Sequence, residues 1–271
     1  INFLVQNKKK VFFDAEHFFD GYKEDPETSL KILDAVISTK VECFVFCDTN
    51  GGTLPSEVHE IISEIISKYP KANFGVHFQN DNGCAVANSM VAVDLGVNHV
   101  QGTINGYGER TGNADLCTLI PNLTLKKGYK TIPEHSLGQL TQTANHIAEL
   151  VNVAIDSRHP YVGSSAFTHK AGLHASGMAK DSSLYEHIDS AAVGNFTRTT
   201  VSELAGRASV LTKADEFGLE FNNDDAKKLI EEVQNLEHMG YQFEAADGSL
   251  FILMNKLKNI EPNFFKFESF R

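Results

Sequence analysis

The sequence predicts an α/β fold, half of an eight-unit parallel barrel followed by a mostly helical region. Three observations carry that expectation. Four short apolar runs recur, Val11 to Phe13, Cys43 to Cys47, Phe74 to His77 and His99 to Thr103, with starts 32, 31 and 25 residues apart. Segments of helical period lie between them, and short buried-type strands alternating with helices argue for a parallel sheet covered by helices. Each run leads straight into polar residues, at the strand ends where such folds present side chains to a ligand. A unit of about 30 residues is what an eightfold barrel of about 250 residues allots to each strand and helix. Four units make half a barrel or an open sheet, and the loops favour the half-barrel.

The helices follow in order. Asp25, Pro26 and Glu27 supply an N-cap, a first-position proline and a first-turn acid ahead of Leu30, Ile32, Leu33, Val36 and Ile37. Pro55 opens the next helix, whose Val58, Ile61, Ile62, Ile65 and Ile66 form one apolar stripe ended by Tyr69-Pro70. A third runs from about Ala85 to Leu95 and stops at Gly96. After about residue 125 the strand rhythm stops. Ser136 and Gln139 predict a capping box for a helix reaching Val151. Arg158 to Ser209 is rich in Gly, Ser and Thr without sustained periodicity, and it carries His169, His174 and His187. Helical patterns return at Lys227 to Met239 and Ala245 to Lys258, and the alternating Phe265, Phe267 and Phe270 read as an edge or first strand.

Composition excludes several classes. The 271 residues are 42% hydrophobic and 22% charged, enough for a sizeable core. Lys+Arg 24 against Asp+Glu 35 leaves −11, with no basic run to track a phosphate backbone, so nucleic acid is not an expected partner. No stretch approaches the roughly 18 apolar residues of a membrane helix, and the first ten residues run polar where a signal peptide turns apolar. A cytoplasmic protein with no membrane association is the expectation. The four cysteines, Cys43, Cys47, Cys84 and Cys117, fit neither a zinc spacing nor a secreted disulfide framework. Cys43 and Cys47 share one strand face as small apolar fillers.

The polar clusters at the strand ends are Asp14, Glu16 and His17; Asp48, Thr49 and Asn50; His77, Gln79, Asn80 and Asp81; and Asn105, Glu109, Arg110 and Asn113. One such cluster can cap a helix and mean nothing. Four in register point to a shared site. His77 and Gln79 are two apart on an extended segment, so both side chains point the same way and can approach one ion. Imidazole nitrogen with amide oxygen suits a divalent ion of mixed hardness, although an amide is a weaker donor than a second imidazole. Gly106-Tyr107-Gly108-Glu109-Arg110-Thr111-Gly112-Asn113 packs glycines around an ion-pair-capable Glu-Arg, which permits a tight turn or close approach to a ligand.

Side by side these segments resemble the 2-isopropylmalate synthase and citramalate synthase family. The carrying stretches are Phe13 to Tyr22, Cys47 to Gly52, Gly75 to Asp81, Asn105 to Asn113, Ala166 to His174 and Gly240 to Glu244. Asp14-Ala15-Glu16-His17-Phe18-Phe19-Asp20-Gly21-Tyr22 and Asn105-Gly106-Tyr107-Gly108-Glu109-Arg110 lean toward the citramalate branch. The resemblance implies the C-terminal half of a TIM-type (β/α)8 barrel over 1–125, a helical connection over 126–157, an irregular linker subdomain over 158–215 and a helical subdomain over 216–271. It implies His77, Gln79 and Asn113 as metal positions, Glu16 and Thr49 lining a keto-acid site, Glu109 and Arg110 beside substrate, and His174 with Tyr185 as acid/base residues. His169 is a second candidate for that role. Two departures stand out. Position 79 is Gln where the family pattern has His, which should weaken metal binding or change metal preference. The family's first strand, with its Leu-Arg-Asp-Gly motif, is absent, so by family standards the chain starts midway round the barrel and stops as a regulatory domain would begin. A half-barrel leaves unpaired edges, so a partner segment or another copy is expected to stabilise it.

The implied activity is acyl transfer from acetyl-CoA to a 2-oxo acid, pyruvate first, with hydrolysis of the thioester, in branched-chain amino acid biosynthesis. It requires a divalent metal, Mn, Mg or Zn, to polarise the keto group and a base near working pH to take a methyl proton. A homodimer is the expected assembly. Two alternatives stand beside this reading: a metal-dependent lyase or aldolase of the same barrel class, and a catalytically impaired fragment or partner subunit.

Overall fold

The computed structural model describes residues 1–169, 184–199, 206–243 and 246–260. They fall into two compact units, the first Ile1–Asp156 with Pro160–Val162, the second Ser157–His159 with the chain from Gly163 onward.

In the first unit a short helix α1 (Asn2–Gln6) precedes strand β1 (Phe12–Ala15), and helices α2 (Phe18–Glu24) and α3 (Pro26–Ile37) return the chain to β2 (Cys43–Asp48). Helix α4 (Pro55–Lys68) leads to β3 (Phe74–Phe78), and α5 (Ala85–Asp94) to β4 (His99–Gln101). The strands run parallel in chain order. The start signals hold where expected. Asp25 Oδ1 accepts from the Thr28 amide at 3.0 Å, which satisfies one of the orphan donors at the start of α3. Glu57 accepts from the Leu54 amide at 2.7 Å at the start of α4. The helix ends at Lys68, before Pro70.

Strand alternation divides the residues between two faces. Register pairs Asp14 with Val45, Val45 with Gly75, Cys47 with His77, and His77 with Gln101, so these side chains share one face. The other face carries Phe44, Phe46, Phe74, Val76 and Phe78, all buried, against Leu33, Val58, Ile62 and Ile65 of the helices. That layer is the core of the unit. The polar face closes on itself: the rings of Phe12 and His99 have centroids 4.9 Å apart, and Gln101 Nε2 donates to Asp14 at 3.0 Å. Strands β1 and β4 are three spacings apart, about 14 Å in a flat sheet. Side-chain contact between them requires a curled sheet with the polar face concave, the half-barrel that the spacing predicts. Gly75 permits the curl, since a Cβ there would stand 2.8 Å from the His99 ring and 3.1 Å from Cys43 Sγ.

Several elements differ from expectation. Helix α2 lies in a stretch read only for its polar residues; buried Phe18, Phe19 and Tyr22 hold it although Gly21 lowers its propensity. After β4, helix α6 (Leu116–Pro121) runs into a π turn over Asn122–Lys126, with Pro121 obscuring the pattern. The capping box expected at Ser136 and Gln139 gives way to a 3-10 turn over Glu134–Gln139, and helix α7 (Leu140–Val151) starts afterwards.

In the second unit, β5 (Thr168–His169) pairs in parallel with β6 (Arg198–Thr199). Helix α8 (Arg207–Glu216) begins where the sequence shows no sustained periodicity, and α9 (Asn223–His238) and α10 (Asp247–Leu257) follow close to the expected patterns. Val210, Leu229, Val233, Leu250 and Met254 form its core. Phe265, Phe267 and Phe270 lie outside the described residues. Among the described residues no helix is long and apolar enough to cross a membrane.

Candidate functional site

The loop after β4 folds back over the end of β3. Gln79 and Asn113 form an antiparallel bridge, flanked by the Asn80 amide on the Gly112 carbonyl at 2.9 Å and the Ala114 amide on the Phe78 carbonyl at 3.0 Å. This backbone pairing brings position 113 to position 79, and strand alternation puts the His77 and Gln79 side chains on one face. The Asn113 amide nitrogen donates to the Tyr107 carbonyl at 2.9 Å, which leaves its Oδ1 buried with no hydrogen-bond partner. Gln79 Oε1 is buried and unpartnered in the same way. A buried orphan oxygen costs about 1–3 kcal/mol, and these two lie on residues paired at one bridge. The Gln79 amide nitrogen stands 3.4 Å from His77 Nε2, and His77 Nδ1 stands 3.0 Å from Gln101 Oε1.

The donor types suit a divalent cation that prefers oxygen, two buried amide oxygens and one imidazole, with Gln79 turning its amide nitrogen toward His77. Among the described residues no group of three or more His, Cys, Asp and Glu side chains gathers to hold a metal. His77, Gln79 and Asn113 would offer a cation three neutral ligands, a weaker set than one with carboxylates.

The other expected site residues have defined places. Thr49 Oγ1 donates to Glu16 Oε2 at 2.6 Å and accepts from the His17 amide at 2.7 Å, which ties the ends of β1 and β2 together with Glu16 left exposed. Arg110 forks onto Asp81, Nε to Oδ1 at 2.8 Å and Nη2 to Oδ2 at 3.0 Å, and Nη2 also donates to the Thr49 carbonyl at 2.9 Å. The guanidinium holds the Asp81 carboxyl below its usual range. Glu109 projects into solvent, 3.7 Å from Arg110 Nη1. Arg110 thus joins the ends of three strands, with one N–H edge of its guanidinium already engaged by a carboxylate.

Three members of the strand-end clusters turn away from the mouth. Asp48 is in phase with Phe44 and Phe46, lies buried, and accepts from the Thr53 amide and hydroxyl at 3.1 and 2.7 Å; burial raises its pKa. Asn80 Oδ1 accepts from the Ala85 amide at the start of α5, and Asn105 donates to the Ala144 carbonyl in α7. Gln101 was not among the expected residues. The signal was present, since it falls two residues past His99 in the fourth apolar run and in phase with His77.

In the second unit, the exposed Tyr185 ring meets the His169 ring edge-on at 6.4 Å. His169 Nε2 stands 3.3 Å from Glu186 Oε1, which also accepts from Thr197 Oγ1 at 2.6 Å. His174 lies outside the described residues.

Comparison with known proteins adds the following. The HMGL-like family model matches residues 4–147, and the model described as homocitrate synthase post-HMGL domain-like matches residues 161–240. An (R)-citramalate synthase of Aquifex aeolicus is 47% identical over 100% of this chain and 52% of its own length. An (R)-citramalate synthase of Geobacter sulfurreducens is 44% identical over the same shares. A probable 2-isopropylmalate synthase of Archaeoglobus fulgidus is 32% identical over 96% of this chain and 52% of its own length. The chain spans about half the length of the curated relatives it matches. Among solved structures, an HMG-CoA lyase of Bacillus subtilis superposes with a TM-score of 0.50 at 21% identity, covering 58% of this chain and 55% of that one, a likeness of fold.

Proposed function

The chain belongs to the HMGL-like family, and on that footing we propose that it contributes to an acyltransferase site condensing acetyl-CoA with a 2-oxo acid, pyruvate first, to give citramalate and free CoA. The observation that supports this reading most directly is the pair of buried, unpartnered amide oxygens on Gln79 and Asn113, residues joined at one backbone bridge, with the Gln79 side chain against His77.

In this proposal His77, Gln79 and Asn113 hold a divalent cation, Mg or Mn in preference to Zn because two of the three donors are neutral oxygens. When bound, such an ion supplies Lewis-acid polarisation of a keto group. Thr49 and Glu16 stand at the ends of the adjoining strands and offer a hydroxyl and a carboxylate to a small oxo acid. Arg110, forked on Asp81 and bonded to the Thr49 carbonyl, keeps the loop that carries Asn113 fastened to the ends of β3 and β2. Tyr185, from the second unit, and His174, outside the described residues, are assigned the proton transfers to and from the acetyl methyl; an imidazole is suited to this because its ordinary pKa lies near neutrality. The same reading takes the protein as a cytoplasmic homodimer.

The assay is release of free thiol from acetyl-CoA by the chain supplied with Mn²⁺ or Mg²⁺. Pyruvate-dependent release is the expected result. Cleavage of a CoA-linked substrate to a carbonyl product without such release supports a lyase. Silence with metal bound supports an impaired fragment or partner subunit, the reading that glutamine at position 79 favours.

A further inference from the structure

A line of side chains crosses the concave face from β1 through β4 to β3. Gln101 Nε2 lies 3.0 and 3.2 Å from the two carboxylate oxygens of Asp14. A carboxylate only accepts hydrogen bonds, so the nitrogen end of the Gln101 amide must face it. The oxygen end then faces His77 Nδ1, at 3.0 Å. A carbonyl oxygen also only accepts, so Nδ1 carries the proton and the neutral imidazole is left with an unprotonated Nε2 that accepts from the Gln79 amide. Nε2 is the atom that stands 3.4 Å from the Gln79 amide nitrogen.

We propose that Asp14 and Gln101 are positioning residues, which fix the tautomer and ring orientation of His77 so that Nε2 is presented as a donor atom beside Gln79. The proposal rests on the reading of this place as a metal centre. Its physical content is directional. Asp14 sets which way the Gln101 amide points, and Gln101 sets which imidazole nitrogen is protonated. Without Asp14 the amide is free to rotate and offer N–H to Nδ1, which moves the imidazole proton to Nε2 and blocks the lone pair. Outer partners of this kind carry about 10–100-fold in metal affinity. Curvature of the sheet makes the relay possible, since Asp14 and Gln101 are 87 residues apart and on strands that are not neighbours.

The test reads the tautomer directly. The full 271-residue chain, labelled with ¹⁵N-histidine and free of added metal, is examined by long-range ¹⁵N–¹H correlation in mildly alkaline solution, where imidazole is neutral, and its Mn²⁺ affinity is measured by titration of the free-ion electron paramagnetic resonance signal. The wild-type chain is expected to show His77 protonated at Nδ1. Asp14→Ala and Gln101→Leu should both move the proton toward Nε2 and weaken Mn²⁺ binding about 10–100-fold. Asp14→Asn, whose side chain can either accept from Gln101 or donate to it, should give a mixture of tautomers between those of the wild type and Asp14→Ala. Asp14 is exposed, so its variants leave the core untouched. His77 protonated at Nε2 in the wild type overturns the proposal, as does an unchanged tautomer in Asp14→Ala, even if Mn²⁺ affinity falls. A wild-type chain with the expected tautomer and no Mn²⁺ binding supports the relay and defeats the metal reading instead.

Discussion

Asn113 owes its position to a residue five places earlier. A Cβ at Gly108 would collide with the Asn113 amide nitrogen, so glycine at 108 serves the placement of a side chain as well as the path of the loop. Gly108→Ala should displace the Asn113 amide and lower Mn²⁺ affinity at least about tenfold, at an overpacking cost of about 1–3 kcal/mol in stability; ion titration and urea unfolding measure the two effects separately. His77, Gln79 and Asn113 were legible in the sequence because strand spacing and a glycine-rich loop announce themselves locally. Gln101 was not legible as part of the site, because its role depends on Asp14 reaching it across the curled sheet. Asp48 misled for a related reason: it opens a strand-end cluster in the sequence, but its phase with Phe46 turns it to the helix side.

Elements were easiest to read where local signals and burial agreed. Strand β2 is a continuous buried run and β3 is buried but for His77, and α3 and α4 begin at proline and acid. The helix at Phe18–Glu24 was hidden by Gly21, and the one at Leu116–Pro121 by the proline at its end. In the second unit, α9 and α10 are joined by Lys258 Nζ on Asp225 Oδ2 at 2.8 Å, and the same carboxylate accepts from the Asn222 amide at 3.1 Å to cap α9. The Lys258 hydrogen bond, then the backbone one, lowers the Asp225 pKa from its ordinary 3.8. A depressed carboxylate adds stability that is fully present above its unfolded value and is lost as pH falls through the folded one. Asp225→Asn should therefore be less stable than the wild type at pH 7, with the difference closing as pH drops below about 3.8. Urea unfolding followed by circular dichroism across that range checks it, and a difference that persists at the acid end would place the effect elsewhere.

For the molecule as a whole, strand and helix spacing was enough to indicate a half-barrel. Sheet curvature was not written in any local pattern, since it comes from small residues such as Gly75 allowing the inner side chains of β1 and β4 to meet. The central claim is that one divalent cation sits among positions 77, 79 and 113. It is tested most directly by titrating Mn²⁺ into the wild-type chain and into Gln79→His. Replacing an amide by a stronger imidazole donor should raise the affinity about tenfold or more, and His77→Ala should abolish the gain. Equal affinity in Gln79→His and the wild type would remove position 79 from the coordination sphere and contradict the account.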